Sequence, residues 1–265
     1  MKVIRCVWYI ACVSVLLGAT DLNRNGLLAR LPPQTLARLR AHLKPISVEL
    51  GQRLHEPGAE LDAVYFPLGS IISLVYTMRD GATAEIAMVG SEGAVGISLF
   101  LGAMSTPHTS VVQSAGPVLM MKADAAREEF RRSALIQSTL LRYTQALLVQ
   151  ISQTAVCNRL HSLEQQLCRW LLFSFDRSDS DELSMTHELI GSMLGVRREG
   201  ITGSASHLRS AGFIGYSRGK IKLVNRAGLE SRVCECYSAV KSEYKRLLGR
   251  PAAQGSLTHR QASEI

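Results

Sequence analysis

The spacing of hydrophobic and polar positions changes twice along this chain, and each change predicts a different kind of element. Residues 21–44 carry Leu27, Leu28, Leu31, Leu36, Leu39 and Leu43. They predict a short helical entry, broken in two at Pro32-Pro33 because proline cannot sit inside a helix. From Ile46 to Met121 the pattern becomes runs of β-forming residues: Ile46–Leu50, Ala63–Pro67, Ser70–Met78, Thr83–Val89, Ser110–Gln113 and Val118–Met121. Glu56-Pro57-Gly58, Asp80-Gly81 and Gly90-Ser91-Glu92-Gly93 cut them apart, and Asp-Gly between two such runs is a hairpin signal. So many short strands predict a small β-roll or jelly-roll barrel.

Glycine and proline then vanish from Val118 to Ile190, which favours long helices. Ile136, Leu140, Tyr143, Leu147, Ile151 and Ala155 follow steps of three or four. One subunit cannot cover that much apolar surface, so the stripe predicts a dimerisation helix with Leu140, Tyr143, Leu147 and Ile151 as its seam. Ser162-Leu163-Glu164-Gln165 is a capping-box pattern that opens the next helix, whose apolar face is Leu163, Leu167, Trp170, Leu171 and Phe173. Residues 226–250 read as one more amphipathic helix, and 251–265 as a disordered polar tail.

The stretch from Leu183 to Val224 is the most specific. Thr186 is placed to cap a helix bearing Leu189, Ile190, Met193 and Leu194 on one face. Gly195 supplies a turn and Val196 pins it. Arg197 and Arg198 open a second helix whose buried stripe is Ile201, Ala205 and Leu208, leaving Arg198, Glu199, Thr202, Gly203 and Ser206 outward. Gly212 stops that helix. Two strands, begun by Phe213-Ile214 and ended by Ile221-Lys222-Leu223-Val224, flank a basic turn at Ser217-Arg218-Gly219-Lys220. This order of elements describes a winged helix-turn-helix. The chain as a whole is thus α+β: an apolar extension of uncertain status at 1–20, a roll at 21–125, a dimerisation helix at 126–158, a winged helix-turn-helix at 159–250, and the tail.

Charge sharpens the picture. The 265 residues carry a net charge of +8, and residues 177–250 hold 13 basic against 8 acidic side chains, most of the surplus. A basic face there favours phosphate and makes binding salt-dependent. The six cysteines, Cys6, Cys12, Cys157, Cys168, Cys234 and Cys236, form no C-x-x-C pair. Cys234 and Cys236, two apart, would point to different faces of a helix, so the cysteines read as reduced thiols of a cytoplasmic protein, with no metal and no cofactor. Lys2 and Arg5 ahead of an apolar run to Ala19 resemble a secretory signal. A winged helix-turn-helix is an arrangement that reads DNA, and export would remove it from DNA, so a mis-called start or an extra packed helix is the preferred reading. The run is too short to span a bilayer.

Residues 27–250 resemble the Crp/Fnr family of bacterial transcription regulators. The resemblance rests on His55-Glu56-Pro57-Gly58, on Val64-Tyr65-Phe66-Pro67-Leu68-Gly69-Ser70, and on Val196-Arg197-Arg198-Glu199 with Ile201. It implies a homodimer on double-stranded DNA, with Arg198 and Glu199 reading base edges and Thr202 beside them. Thr186, His187, Arg197, Ser206, Arg218 and Lys220 would meet phosphates, and an activator of this kind would also contact RNA polymerase. A third base contact of the cyclic-AMP receptor subgroup, an arginine, falls on Gly203, so the target site should differ. In cyclic-nucleotide-binding members a glycine-rich turn presents a glutamate to the ribose and an Arg-Ser pair to the phosphate. Gly90, Glu92 and Gly93 match the turn, but the Arg-Ser position falls near Pro107-His108-Thr109, and no Lys or Arg occurs from Gly90 to Met121. The expected pocket, Gly90, Glu92, Gly93, His108, Thr109 and Ser110 with apolar walls at Val89, Ile97, Leu99, Val111 and Met120, is therefore degenerate for cyclic nucleotides, and its effector is unknown.

Two other readings compete. One is a signal-binding roll that acts through protein contacts and has lost DNA reading; the surviving Arg197, Arg198 and Glu199 and the wing Arg218, Lys220 and Lys222 stand against it. The other is a cupin-type enzyme on the roll. That needs a His-x-His pair with a carboxylate, and the seven histidines include none. No catalytic residue is assigned.

Overall fold

The computed structural model describes residues 22–249, so the apolar run at 1–20 and the tail at 251–265 lie outside the described residues. A 3-10 turn at Leu28–Arg30 and helix α1 (Pro33–Arg40) lead into seven strands. These are β1 (Leu43–Val48), β2 (Arg53–His55), β3 (Ala63–Pro67), β4 (Ile71–Thr77), β5 (Thr83–Val89), β6 (Thr109–Ser114) and β7 (Gly116–Lys122). They form two antiparallel sheets, ordered β1-β7-β3 and β2-β6-β4-β5. The expected bounds of β3 and β5 coincide with those found. Three-residue β2 went unread because so short a run carries no periodicity.

Successive side chains on a strand face opposite sides, and here both sides of the second sheet are buried. Ile72, Leu74, Ala87, Val89 and Val112 enter the roll's own core. Ile71, Val75 and Met88 point the other way, into a second core with Leu167, Trp170, Leu171 and Ile201 of the C-terminal half. That half begins after α2 (Ala123–Arg132) and the 27-residue α3 (Ala134–Leu160). It comprises α4 (Leu163–Asp176), β8 (Glu182–Ser184), α5 (His187–Leu194), α6 (Arg198–Ser210), β9 (Ile214–Ser217), β10 (Lys220–Leu223), α7 (Arg226–Arg232) and α8 (Glu235–Leu248). Ser162 caps α4 in the expected capping box with Gln165. The single helix expected over 226–250 is two, broken at Val233-Cys234, where both residues are extended.

The expected dimer seam is corrected. Leu140, Tyr143 and Leu147 are buried in the roll core of their own chain, and Ile151 packs against it. The apolar side chains α3 leaves exposed include Leu141 and Leu148, 49% and 52% accessible. They lie two turns apart, one residue out of phase with the expected row.

A closed polar circuit crosses between the halves. Ser73 Oγ lies 2.5 Å from Glu85 Oε2 and 2.7 Å from Gln113 Oε1. Gln113 Nε2 donates to Ser174 Oγ (3.1 Å), Ser174 Oγ donates to the Trp170 carbonyl (3.0 Å), and Trp170 Nε1 donates to Glu85 Oε1 (3.1 Å). A hydroxyl has one proton. Ser73 satisfies both acceptors only when Glu85 is protonated and donates to it. Burial pushes the Glu85 carboxyl up to about 7, against the lowering effects of Ser73, Arg169, Trp170 and Arg177. Because the folded-state pKa is raised, the stability this group contributes is full below about pH 4.5 and is lost as pH rises through about 7. Glu85→Gln keeps both hydrogen bonds without the proton. Thermal unfolding of the wild type between pH 5 and 8 should show stability falling as pH rises, by a few kcal/mol at most, and the variant should flatten that slope. Equal slopes in the two proteins would place the proton elsewhere.

Candidate nucleic-acid interface and roll cavity

Helix α5 starts at Thr186, whose hydroxyl accepts from the Leu189 amide (3.1 Å). It stops at Gly195, which adopts the left-handed conformation (φ 67°) that glycine takes without a Cβ penalty. Helix α6 then buries Ile201, Ala205 and Leu208. Arg197, Arg198, Glu199, Thr202, Gly203 and Ser206 are all exposed. Arg197 stands at the cap position with no side-chain bond to the helix, so two arginines flank the N-terminus of α6, an end suited to anions.

His187 sits elsewhere than its expected role requires. Its ring stacks on Tyr216 at 4.1 Å, and Nδ1 lies 3.0 Å from Thr202 Oγ1. The Thr202 hydroxyl donates to the Arg198 carbonyl (3.0 Å), so Nδ1 carries the proton and Nε2 is a buried acceptor without a partner. Burial, then the Arg198 charge, lower its pKa. A neutral, packed His187 fixes the wing against α6 rather than offering a cation to phosphate.

The wing has three strands, ordered β8-β10-β9; β8, three residues long, was not legible in the sequence. Strands β9 and β10 join through the two-residue loop Arg218-Gly219, with φ 49° and 77°. Positive φ at both positions is what a type I′ turn demands, and Asn-Gly meets it at least cost. An arginine there is strained, so Arg218 holds its cation at the wing tip at some cost in stability. The Gly219 carbonyl accepts from the Met185 amide (2.7 Å), tying the tip to the start of α5. Lys220 pairs with Glu182 at 2.7 Å, both half-exposed, so reaching a phosphate means exchanging that partner. Helix α5 also leans on the roll, where Thr83 Oγ1 donates to the Ser192 carbonyl (2.9 Å).

The roll holds a cavity of about 350 Å³, closed on one side by Leu147 and Ile151 of α3. Its polar lining includes His55, Tyr76, Ser98, Thr106 and His108, and no Lys or Arg among the described residues borders it. His55 is buried, with Nε2 2.9 Å from the Ala63 carbonyl and Nδ1 3.3 Å from Ser110 Oγ. Burial lowers its pKa; burial, then the neighbouring His55, lower His108 to about 4. Both rings are neutral near pH 7.

Of the expected pocket residues, His108 and Ile97 border this cavity. Thr109 and Ser110 are buried in β6, and Val89, Leu99, Val111 and Met120 pack in or against the two cores. Gly90, Glu92 and Gly93 serve another contact. Glu92 Oε1 accepts from Arg177 Nε at 2.7 Å. The Arg177 guanidinium, largely buried, also donates to the Phe173 carbonyl (3.1 Å) and Gln150 Oε1 (3.3 Å). A Cβ on Gly90 would meet Arg177 at 2.8 Å, and one on Gly93 would overlap the Tyr143 ring. The glycine-rich turn is shaped around Arg177 and Tyr143. A lone arginine 85 residues away gave no sign of this in the sequence.

A second constellation brings together three of the cysteines that were read as reduced thiols without a metal. Cys157, His161, Cys234 and Cys236 place one donor atom each within 4.8 Å of the others. Cys234 is extended (φ −75°, ψ 165°) and caps α8 from outside, so the helical argument that separated it from Cys236 does not hold.

Residues 165–232 match the Crp-like helix-turn-helix domain. The chain carries that domain. No curated protein sequence matches the chain. Among solved structures, a Crp/Fnr-family protein from Eubacterium rectale is similar, with TM-score 0.63 and 17% identity over 79% of this chain and 98% of that one. FixK2 from Bradyrhizobium japonicum gives 0.63 and 16%, covering 72% and 98%. TTHB099, a CRP-family transcriptional regulator from Thermus thermophilus, gives 0.60 and 17%, covering 71% and 95%. At these identities the likeness shows a shared fold of roll, long helix and winged helix-turn-helix.

Proposed function

We propose that this protein is a sequence-specific DNA-binding transcription regulator of the Crp/Fnr type, acting as a homodimer on a two-fold symmetric site. The observation that carries the reading is the outer row of α6. Arg198, Glu199, Thr202 and Ser206 are exposed on a helix whose other face is fully packed, beside a strained cationic wing. Two such helices related by a two-fold axis enter successive major grooves about 34 Å apart. Arg198→Ala should cost about 1–3 kcal/mol and relax one base position. Arg218→Asn should weaken all sequences alike and lower the salt slope by about one unit, while Tm holds or rises as the turn loses its strain. Binding-site selection, salt titration and calorimetry on the two variants check this. An unchanged selection profile for the first removes Arg198 from the reader.

Dimerisation is assigned to the exposed row of α3. Leu141 and Leu148 are the central pair, and glutamates there set like charges across the axis in a closed seam. Leu141→Glu with Leu148→Glu should sediment as a folded monomer with weakened DNA affinity. The same change at buried Leu140 and Leu147 should unfold the roll. A dimer persisting in the first variant moves the seam off α3.

The cavity accepts an effector that is not a cyclic nucleotide. Two neutral histidines and no guanidinium offer a phosphate no charge-assisted partner, and Glu92, where the ribose contact was expected, is engaged by Arg177. Titration calorimetry should show no binding of cyclic AMP or cyclic GMP at micromolar concentrations. Micromolar binding coupled to tighter operator affinity overturns this.

A further inference from the structure

We infer that Cys157, His161, Cys234 and Cys236 bind one zinc ion, which pins the C-terminal end of α3 to the junction of α7 and α8. Cys157 Sγ and Cys234 Sγ are 3.5 Å apart, and Cys236 Sγ is 3.6 Å from His161 Nδ1. A tetrahedral zinc with Zn–S near 2.3 Å and Zn–N near 2.0–2.1 Å separates two sulfurs by about 3.8 Å and a sulfur from a nitrogen by about 3.6 Å. Two of the donor separations already match that spacing, and all four donor atoms lie within 4.8 Å of one another. An iron–sulfur cluster would set inorganic atoms between the ligands and spread them by several ångströms more.

The surroundings also fit. Cys157, Cys234 and Cys236 are 0%, 4% and 1% exposed and form a small cluster apart from both main cores. His161 Nε2 lies 3.4 Å from Glu235 Oε2. A metal-bound histidine commonly gives its other N–H to a carboxylate, which leaves Nδ1 free to ligate. The loop is held at both ends, because the His161 amide donates to the Cys157 carbonyl (3.0 Å) and the His161 carbonyl accepts from Gln166 Nε2 (2.9 Å).

Three thiolates and a zinc ion leave one negative charge. The buried Arg169 guanidinium acts on Cys157, donates through Nη1 to Thr154, and keeps a buried Nε without a partner. It is the counter-charge the loaded site needs. Metal binding displaces the three thiol protons.

The ion would join parts of the chain 77 residues apart at the joint where α3 hands over to α4 across His161-Ser162. Closing so long a loop stabilises by restricting the unfolded chain.

The test is made on the full-length protein purified under reducing conditions with zinc present. Elemental analysis should find one zinc per chain in the wild type and in Cys168→Ser, whose thiol lies outside the cluster. Cys157→Ser and Cys234→Ser should lose it. Cobalt substitution of the wild type should show tetrahedral d–d bands and thiolate charge transfer, which does not depend on any variant folding. Glu235→Ala keeps all four ligands and should bind zinc about 10–100-fold more weakly. Removing zinc should speed amide exchange across residues 226–248. Absence of metal together with absence of a cobalt spectrum overturns the proposal. So does zinc retained without both Cys157 and Cys234, a native Cys157–Cys234 disulfide, or copper or an iron–sulfur cluster in zinc's place. None of these measurements involves DNA, so they stand or fall apart from the DNA-reading proposal.

Discussion

A four-stranded sheet buried on both faces holds this molecule together. Ile72 and Leu74 fill the roll, while Ile71 and Val75 of the same strand fill the core beneath the helix-turn-helix. The polar side chains on that second face have no access to water, so each must find a partner inside. Ser73, Glu85, Gln113, Trp170 and Ser174 meet that demand as a closed ring. A ring of this kind tolerates no lateral slip. It sets the register of α4 on the sheet, and with it the position of everything α4 carries.

What the sequence revealed follows from which interactions are local. Strand β3 is bounded by a turn at each end, and α5–α6 by a cap, a left-handed glycine and a period of 3.6, so both were legible. Helix α3 was not, in one respect. It meets the roll on one side, α8 on another and solvent on a third, so apolar residues occur all round it and periodicity cannot choose between Leu140 and Leu141. Three-residue strands β2 and β8 exist only through their partners, and no local pattern marks them. The roles of Glu92 and Gly93 depended on Arg177 and Tyr143, which fold onto them from other elements. The opposite faces expected of Cys234 and Cys236 rest on one continuous helix, and the extended residues Val233 and Cys234 break it.

The long helix links the parts by carrying different contacts on successive turns. Leu147 and Ile151 close the roll cavity. Between them, buried Gln150 donates to the Met88 carbonyl (3.0 Å) and accepts from Arg177 and from the Tyr244 hydroxyl (3.0 Å). One side chain thus touches β5, α8 and Arg177, the residue that follows α4. Thr154, a turn further on, receives Arg169, and Cys157 follows. Packed interiors do not deform smoothly, so a displacement of α3 at the cavity wall would reach Gln150 as a change of partners rather than as a gradual strain.

This arrangement bears on how an effector would act. A ligand shifts an equilibrium only by its differential affinity for the two states. An occupant of the cavity touching Leu147 and Ile151 can meet that condition by favouring one rotation of α3 over another. The opposing weight is the Gln150 node on α3, while the Arg177–Glu92 pair and the Glu85 ring hold the C-terminal half to the roll without passing through α3. The ring weakens as pH rises, whereas the largely buried Arg177–Glu92 pair is little screened by salt. The helix-turn-helix is therefore held to the roll by several contacts, two of which share Arg177, and an effector acts directly only on those that pass through α3.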